Sequence, residues 1–300
     1  MIRIENIVIL AFLVLPLAGL GQTLEESIEK AYTYQTAGNH ERAASIIDKA
    51  IETNKGAKSE IAWHIRGFVY KDLFLKTRSE DVGAAQMYRE EAVSSLQKSM
   101  SFDRDDNMID QNRKALKYLA VSYFNDASDT IKVHNPKTID SANLLFENYK
   151  SIVKEIHPDT VLTDKEIEYY LAMSTAHRKI YEMDREKYDK HWYRSNEFMD
   201  KVLNLDPESF KANYSKGVSY YNRGAYNLER LPSVDILDLM QIQSESMRSI
   251  ESALPFMLKA YEIDPTKIEA VKGLKIIFFN LNKEEESKYY DNVLEKLKND

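Results

Sequence analysis

The chain contains no cysteine. A disulfide, a thiolate zinc site and a cysteine nucleophile are therefore excluded. Charge of one sign is also lacking: 48 acidic residues against 41 basic ones leave a net charge of -7, with both signs mixed throughout. Phosphate binding needs a concentrated basic face, so this balance argues against a nucleic-acid partner. Enzyme motifs are missing too. There is no glycine-rich phosphate loop, dinucleotide fingerprint, nucleophile elbow, paired-histidine zinc helix or calcium loop. The expectation is a protein that is not an enzyme and uses no cofactor and no metal.

Only one long apolar run is present, Ile7 to Leu17, and it is shorter than the roughly 20 residues a membrane-spanning helix needs. Arg3 precedes it, and the small residues Gly19 and Gly21 follow it, just before Gln22. Residues 1–21 thus read as a secretory signal peptide, and a cleaved chain of residues 22–300 would be periplasmic or secreted. Gln22 stands where a lipoprotein would carry cysteine, so lipid anchoring by that route is excluded. No stable membrane span is expected after cleavage.

What the sequence does contain is a recurring turn. His157-Pro158-Asp159, Asp206-Pro207-Glu208 and Asp264-Pro265-Thr266 each close an amphipathic run. Proline cannot continue a helix interior and aspartate favours turns, so each ends one helix and opens another. Before the turns, small and apolar residues recur at a 4,3 spacing, as in Ala253, Met257 and Ala260, or Ala43, Ile47 and Ala50. That spacing lays one apolar stripe along a helix. After the turns, a small residue precedes an aromatic one by three positions: Gly67 and Tyr70, Ala120 and Tyr123, Gly217 and Tyr220, and near the start Ala31 and Tyr34. The small residues predict close approach of a neighbouring helix.

Trp63, Gly67 and Tyr70 resemble the opening of a tetratricopeptide repeat, and Ala253, Met257, Ala260 and Pro265 resemble its close. The resemblance implies an all-α fold, a right-handed α-solenoid of about five or six helical hairpins, in units near 23–55, 58–104, 108–158, 163–207, 208–265 and a capping 266–300. Units after the first depart from the family's 34-residue pattern. The aromatic of the first helix precedes the small residue of the second by 9 positions in unit one, but by 22, 19, 20 and 33 in the next four. Each insertion reads as extra helical turns, with hairpin loops near Thr77 to Glu80, His134 to Lys137, Asp184 to Glu186 and Leu231 to Ser233.

In this family the first helix of each unit lines a concave surface. The register set by Ala31, Gly67, Ala120, Ala172 and Gly217 then points inward Tyr32 and Gln35; Phe68 and Lys71; Lys117, Val121 and Asn125; Tyr169, Met173 and His177; and Tyr214, Tyr221 and Asn222. Rings, amides and lysines of this kind suit a protein or peptide partner, with aromatic anchors and amides meeting the backbone. A lysine and asparagine carboxylate clamp, known in some relatives, is not expected, because units one and two lack the residues that would join Lys117 and Asn125.

The resemblance implies a non-catalytic scaffold or adaptor for another envelope or secreted protein. The alternative is a carbohydrate or small-ligand binder, in which some of the 19 Tyr and 2 Trp rings converge on a pocket. His177 and His191 are placed on facing helices, but two imidazoles are fewer than the three or four ligands of a typical zinc site, so they read as surface or partly buried rings. Self-association through the long hairpins is left open.

Overall fold

The computed structural model describes residues 23–229 and 236–299. The signal-like residues 1–21 and the expected loop at Leu231 to Ser233 lie outside them. Twelve α-helices and one short 3-10 turn, Gly56–Lys58, make up the described chain, and no strand occurs among the described residues. The helices are α1 (Leu24–Thr36), α2 (His40–Ile51), α3 (Glu60–Thr77), α4 (Val82–Phe102), α5 (Ile109–Val133), α6 (Ser141–Ile156), α7 (Thr163–Met183), α8 (Asp189–Leu205), α9 (Phe210–Glu229), α10 (Ile236–Ile263), α11 (Ile268–Asn280) and α12 (Glu284–Asn299). The fold is all-α and tetratricopeptide-like.

Local chemistry sets the boundaries. Thr23 accepts from the Glu26 N–H while the Glu26 carboxylate accepts from the Thr23 N–H, a reciprocal cap that starts α1. Ser59 and Asp81 cap α3 and α4 with side-chain oxygens. Gly38 turns the chain between α1 and α2 at a φ of 78°, which a side chain would strain. After α8 and α10, the carboxylates of Asp206 and Asp264 accept from N–H groups two residues on, wrapping the turn around Pro207 and Pro265. Asp103 accepts from the N–H groups of Asn107 and Met108, closing the turn before α5.

The chain forms two compact units, one ending at Leu119 and the other beginning at Ala120. In the first, α1 with α2 and α3 with α4 are antiparallel pairs whose apolar stripes share a core of Ala31, Ala43, Ile47, Ala62, Val69 and Leu73. Burial of Ile47, Val69 and Leu73 contributes about 1.5–3 kcal/mol each. A methyl group on Gly67 would stand 2.6 Å from Leu96, so the absence of a side chain is what lets α3 and α4 touch. Beside that contact, Arg66 donates to Asp48 on α2 at 2.8 Å and to Glu91 and Ser95 on α4 at 2.7 and 2.6 Å, while the Tyr70 hydroxyl also donates to Asp48. This network ties the two hairpins together.

In the second unit α7 pairs with α8, α9 with α10 and α11 with α12. Gly217 and Gly224 repeat the close approach: a methyl at Gly217 would meet Met257 at 3.0 Å, and one at Gly224 would meet the Ser246 carbonyl at 2.6 Å. Ala253, Met257, Ala260, Val271 and Leu274 fill the core behind them. The α7–α8 pair has no glycine at this level. Ser174 and Ser195, both buried, close the gap instead: each hydroxyl bonds the other helix's backbone carbonyl, at 2.8 and 2.9 Å.

Candidate functional site

In the first unit, α3 and the start of α5 border a cleft of about 400 Å³. Phe68, Lys71 and Leu75 come from one side, at the i, i+3, i+7 spacing of a single helix face. Gln111, Lys114, Ala115 and Tyr118 come from the other, in the same rhythm. Beneath Phe68, His64 Nδ1 lies 2.8 Å from Asn112 Oδ1, and Asn112 Nδ2 donates to Ser99 on α4. These bonds hold the first turns of α5 against α3 and α4. Burial pushes the His64 imidazole below its usual pKa, although the bond to Asn112 opposes this, so the ring is neutral at physiological pH.

The mouth is apolar and basic. Leu75 and Tyr118 stand partly clear of the protein, Tyr118 with 44% of its surface exposed. Lys71 lies 5.3 Å from the Phe68 ring and donates to Asp72 at 2.7 Å, and Asp72 accepts in turn from Gln35 on α1 at 2.9 Å. Two expected residues, Gln35 and Lys71, are thus joined through Asp72, which the sequence does not single out, and the expected Phe68 lies against Lys71. Lys114, Leu75, Gln111 and Tyr118 were missed as well. Lys117 is exposed on the same stripe of α5 but does not line the cleft, and Tyr32 is exposed on α1. Alternation of exposed and buried residues along α5, buried at Leu116, Leu119 and Ala120, is the signal that would have found Lys114 and Tyr118.

In the second unit, Val121 and Asn125 are exposed and Tyr221 is half-buried, its hydroxyl accepting from Asn280 at 3.3 Å. Tyr214 and Asn222 line a smaller pocket between α7, α8 and α9. Tyr169, Met173 and His177 need correction, because all three are buried and none lines a surface. The Tyr169 ring stacks on Phe146 at 3.9 Å and its hydroxyl donates to Asn143. Their register had been counted from Ala172, whereas the residue that makes the close helix contact is Ser174. Counting from Ser174 places His177 at the position of Tyr70 and Tyr220, three residues after the small one, and turns Thr175 and Arg178 outward into the pocket instead.

His177 and His191 are 0% and 1% exposed, with their Nδ1 atoms 2.7 Å apart. One neutral ring donates and the other accepts, and neither Nε2 has a hydrogen-bond partner among the described residues. Burial holds His177 down at about pKa 4, with the neighbouring His191 adding to the shift and Asp140, 3.9 Å from Nε2, opposing it. His191 is lowered for the same first reason, burial. Among the described residues no group of three or more side chains is placed to hold a metal ion, and no helix is long and apolar enough to cross a membrane.

No known family profile matches the chain. No curated protein matches it in sequence either. Several solved structures align with it at low similarity. The human IFIT1 dimer with m7Gppp-AAAA aligns at 13% identity and a TM-score of 0.35, over 91% of this chain and 50% of its own. PilW, a type IV pilus biogenesis factor, aligns at 11% identity and a TM-score of 0.33, over 92% of this chain and 94% of its own. YrrB, a TPR protein with an unusual peptide-binding site, aligns at 17% identity and a TM-score of 0.24, over 84% and 91%. The chain spans half the length of three IFIT1 structures it matches and 74% of a fourth. At these values the fold assignment stands on the hairpin packing of the chain itself.

Proposed function

We propose that the chain is a non-catalytic scaffold whose first unit docks a peptide segment of another protein, and that the segment is acidic around one apolar anchor. The cleft between α3 and α5 carries this reading. Its walls are Phe68, Leu75, Ala115 and Tyr118, no carboxylate lines it, and Lys71 and Lys114 stand at its edge. Lys114 makes no ion pair among the described residues, and neither does its neighbour Lys117. An apolar side chain seated on Phe68 and Tyr118 gains burial, and a flanking Asp or Glu side chain gains Lys114, since Lys71 is already paired with Asp72. Rings spread along an open cleft suit a peptide better than a sugar, which needs rings gathered around a pocket.

The partner belongs with an extracytoplasmic location. The apolar run Ile7 to Leu17 followed by Gly19 and Gly21 supports export with cleavage before Gln22. Sequencing the N-terminus of the protein recovered from its native cells tests this: a chain starting at Gln22 agrees with it, and an intact Met1 rules it out. The mixed charge and net charge of -7 speak against nucleic acid.

The docking reading is tested by selecting peptides from a random display library on the full chain. Winning peptides should carry an aliphatic or aromatic residue flanked by Asp or Glu, and Tyr118→Ala with Lys114→Glu should weaken them by about tenfold or more. Selection of basic or charge-free peptides, or indifference to both substitutions, sinks the proposal.

A further inference from the structure

The cleft of the first unit and the pocket of the second place cations in the same register. In the first, Lys71 lies four residues after Gly67 on α3, and Lys114 lies six residues before Ala120 on α5. In the second, Arg178 lies four residues after Ser174 on α7, and Lys211 lies six residues before Gly217 on α9. No carboxylate lines either one. What differs is the surface between the cations. Phe68 follows its small residue by one position and Tyr118 precedes its own by two, and in the second unit those positions belong to Thr175 and Ser215. The first surface suits an apolar anchor, whereas the second suits polar atoms.

The second pocket, about 300 Å³, lies among α7, α8 and α9, and much of its polar lining is already committed. Ser174 and Ser195 bond across the helix pair, and Thr175 donates to the Leu171 carbonyl. Asn196 donates to the Trp192 carbonyl and to Ser219 Oγ, while its Oδ1 is enclosed and out of reach of anything seated in the pocket. The groups left over can all donate. Ser219 Oγ accepts from Asn196 and keeps its own proton. The side chains of Ser215 and Asn222 make no hydrogen bond among the described residues, and Lys211 makes no ion pair there. Arg178 pairs with Glu182 through Nη1, at 2.7 Å, and its Nε and Nη2 make no hydrogen bond among the described residues. Both partners of that pair are nearly half exposed, so it is a weak competitor for the guanidinium.

Hydroxyls and an amide beside two cations, with no carboxylate among them, favour an anion rich in acceptor oxygens. A carboxylate brings one charge on two oxygens. A phosphate monoester brings nearly two charges on three oxygens at neutral pH, which matches two cations and several donors better. Guanidinium and ammonium groups are both suited to it, the first as a planar fork and the second as a point charge. A phosphate group fills only part of the pocket, and the remaining wall is Met199, Tyr214 and Val218. Phe210 backs the Tyr214 ring, 5.8 Å away and nearly parallel to it. We propose that this pocket binds a small organic phosphate monoester, with the phosphate on Arg178, Lys211 and Ser215 and the apolar body against Tyr214 and Val218. The site is independent of the peptide cleft, and either one can fail without the other.

Calorimetric titration of the full chain with phenyl phosphate, phenyl sulfate and inorganic phosphate tests the assignment. Phenyl phosphate should bind saturably and about fivefold or more tightly than phenyl sulfate, which has the same shape and one charge fewer. Inorganic phosphate should be weaker than phenyl phosphate, because it leaves the apolar wall uncovered. Arg178 and Lys211 are exposed, so Arg178→Gln and Lys211→Met should each weaken phenyl phosphate and narrow its lead over the sulfate without unfolding the protein. Lys179→Met, on an exposed lysine beside Arg178 that does not line the pocket, should change neither affinity. The proposal is overturned if phenyl sulfate or inorganic phosphate binds as tightly as phenyl phosphate, or if Arg178→Gln and Lys211→Met leave binding intact. It is also overturned if Lys179→Met weakens binding as much as they do, or if phenyl phosphate fails to bind at millimolar concentration.

Discussion

The α3–α4 and α7–α8 hairpins bring two helices together by opposite means. In the first, Gly67 has no side chain and Leu96 occupies the space a methyl would need. In the second, Ser174 and Ser195 fill the gap and satisfy each other across it. The difference continues three residues further along. Tyr70 sends its hydroxyl out to Asp48, whereas His177 turns inward and bonds His191 in a fully enclosed pair. Deleting a side chain gives a contact indifferent to pH. Burying a pair of imidazoles gives one that protonation weakens, because burial disfavours the charged ring.

Acid should therefore separate the two hairpins most strongly. His177 has its pKa lowered to about 4 from an ordinary value near 6.5. Between those values the unfolded chain binds the proton more readily than the folded one, so stability rises with pH. The contribution is complete above about pH 6.5 and is lost as pH falls to about 4, a loss of about 3 kcal/mol from His177 alone. Urea unfolding followed from about pH 7 to about pH 4 should show it, and His177→Phe with His191→Leu should remove that part of the loss. An unchanged profile in the double variant would show that the pair is not responsible.

Next in size is Gly67→Ala, which should cost about 2 kcal/mol, because the new methyl would stand 2.6 Å from Leu96. Gly83→Ala is its control: the added methyl meets only Asp81, at 3.4 Å, so the variant should hold or gain stability by up to about 1 kcal/mol. Ser174→Ala should cost about 1 kcal/mol, and combining it with Ser195→Ala should cost less than the sum of the two. Smallest of all, Tyr118→Ala should change stability by less than about 0.5 kcal/mol while weakening peptide binding, which would separate the cleft's function from the fold. Denaturant midpoints at one pH check each of these variants.

Much of the architecture is legible along the chain. The Asp-Pro turns, the 4,3 stripes and the pairs Gly67/Tyr70 and Gly217/Tyr220 lead to an all-α chain of about five or six helical hairpins, and the described residues hold twelve α-helices. Phe68 and Lys71 in the cleft, and Tyr214 and Asn222 in the pocket, follow from glycines whose packing role is unambiguous. The failures cluster where the small residue is a serine. Ser174 makes the contact that Ala172 was expected to make, and a two-residue error on a helix rotates the reading by more than half a turn. Tyr169, Met173 and His177 were turned outward by that error, and each is core.

By itself, the sequence determined which segments are helical, where they stop, and which spots allow two helices to touch, because periodicity, capping and proline geometry act over a few residues. Tertiary structure alone decided that Asp72 would join Gln35 to Lys71, that Asn196 Oδ1 would be buried without a partner, and that two histidines fourteen positions apart would close on each other. Those outcomes depend on distances between side chains of different helices. Such distances are set by how close each pair of helices can come, and that follows from the whole packing.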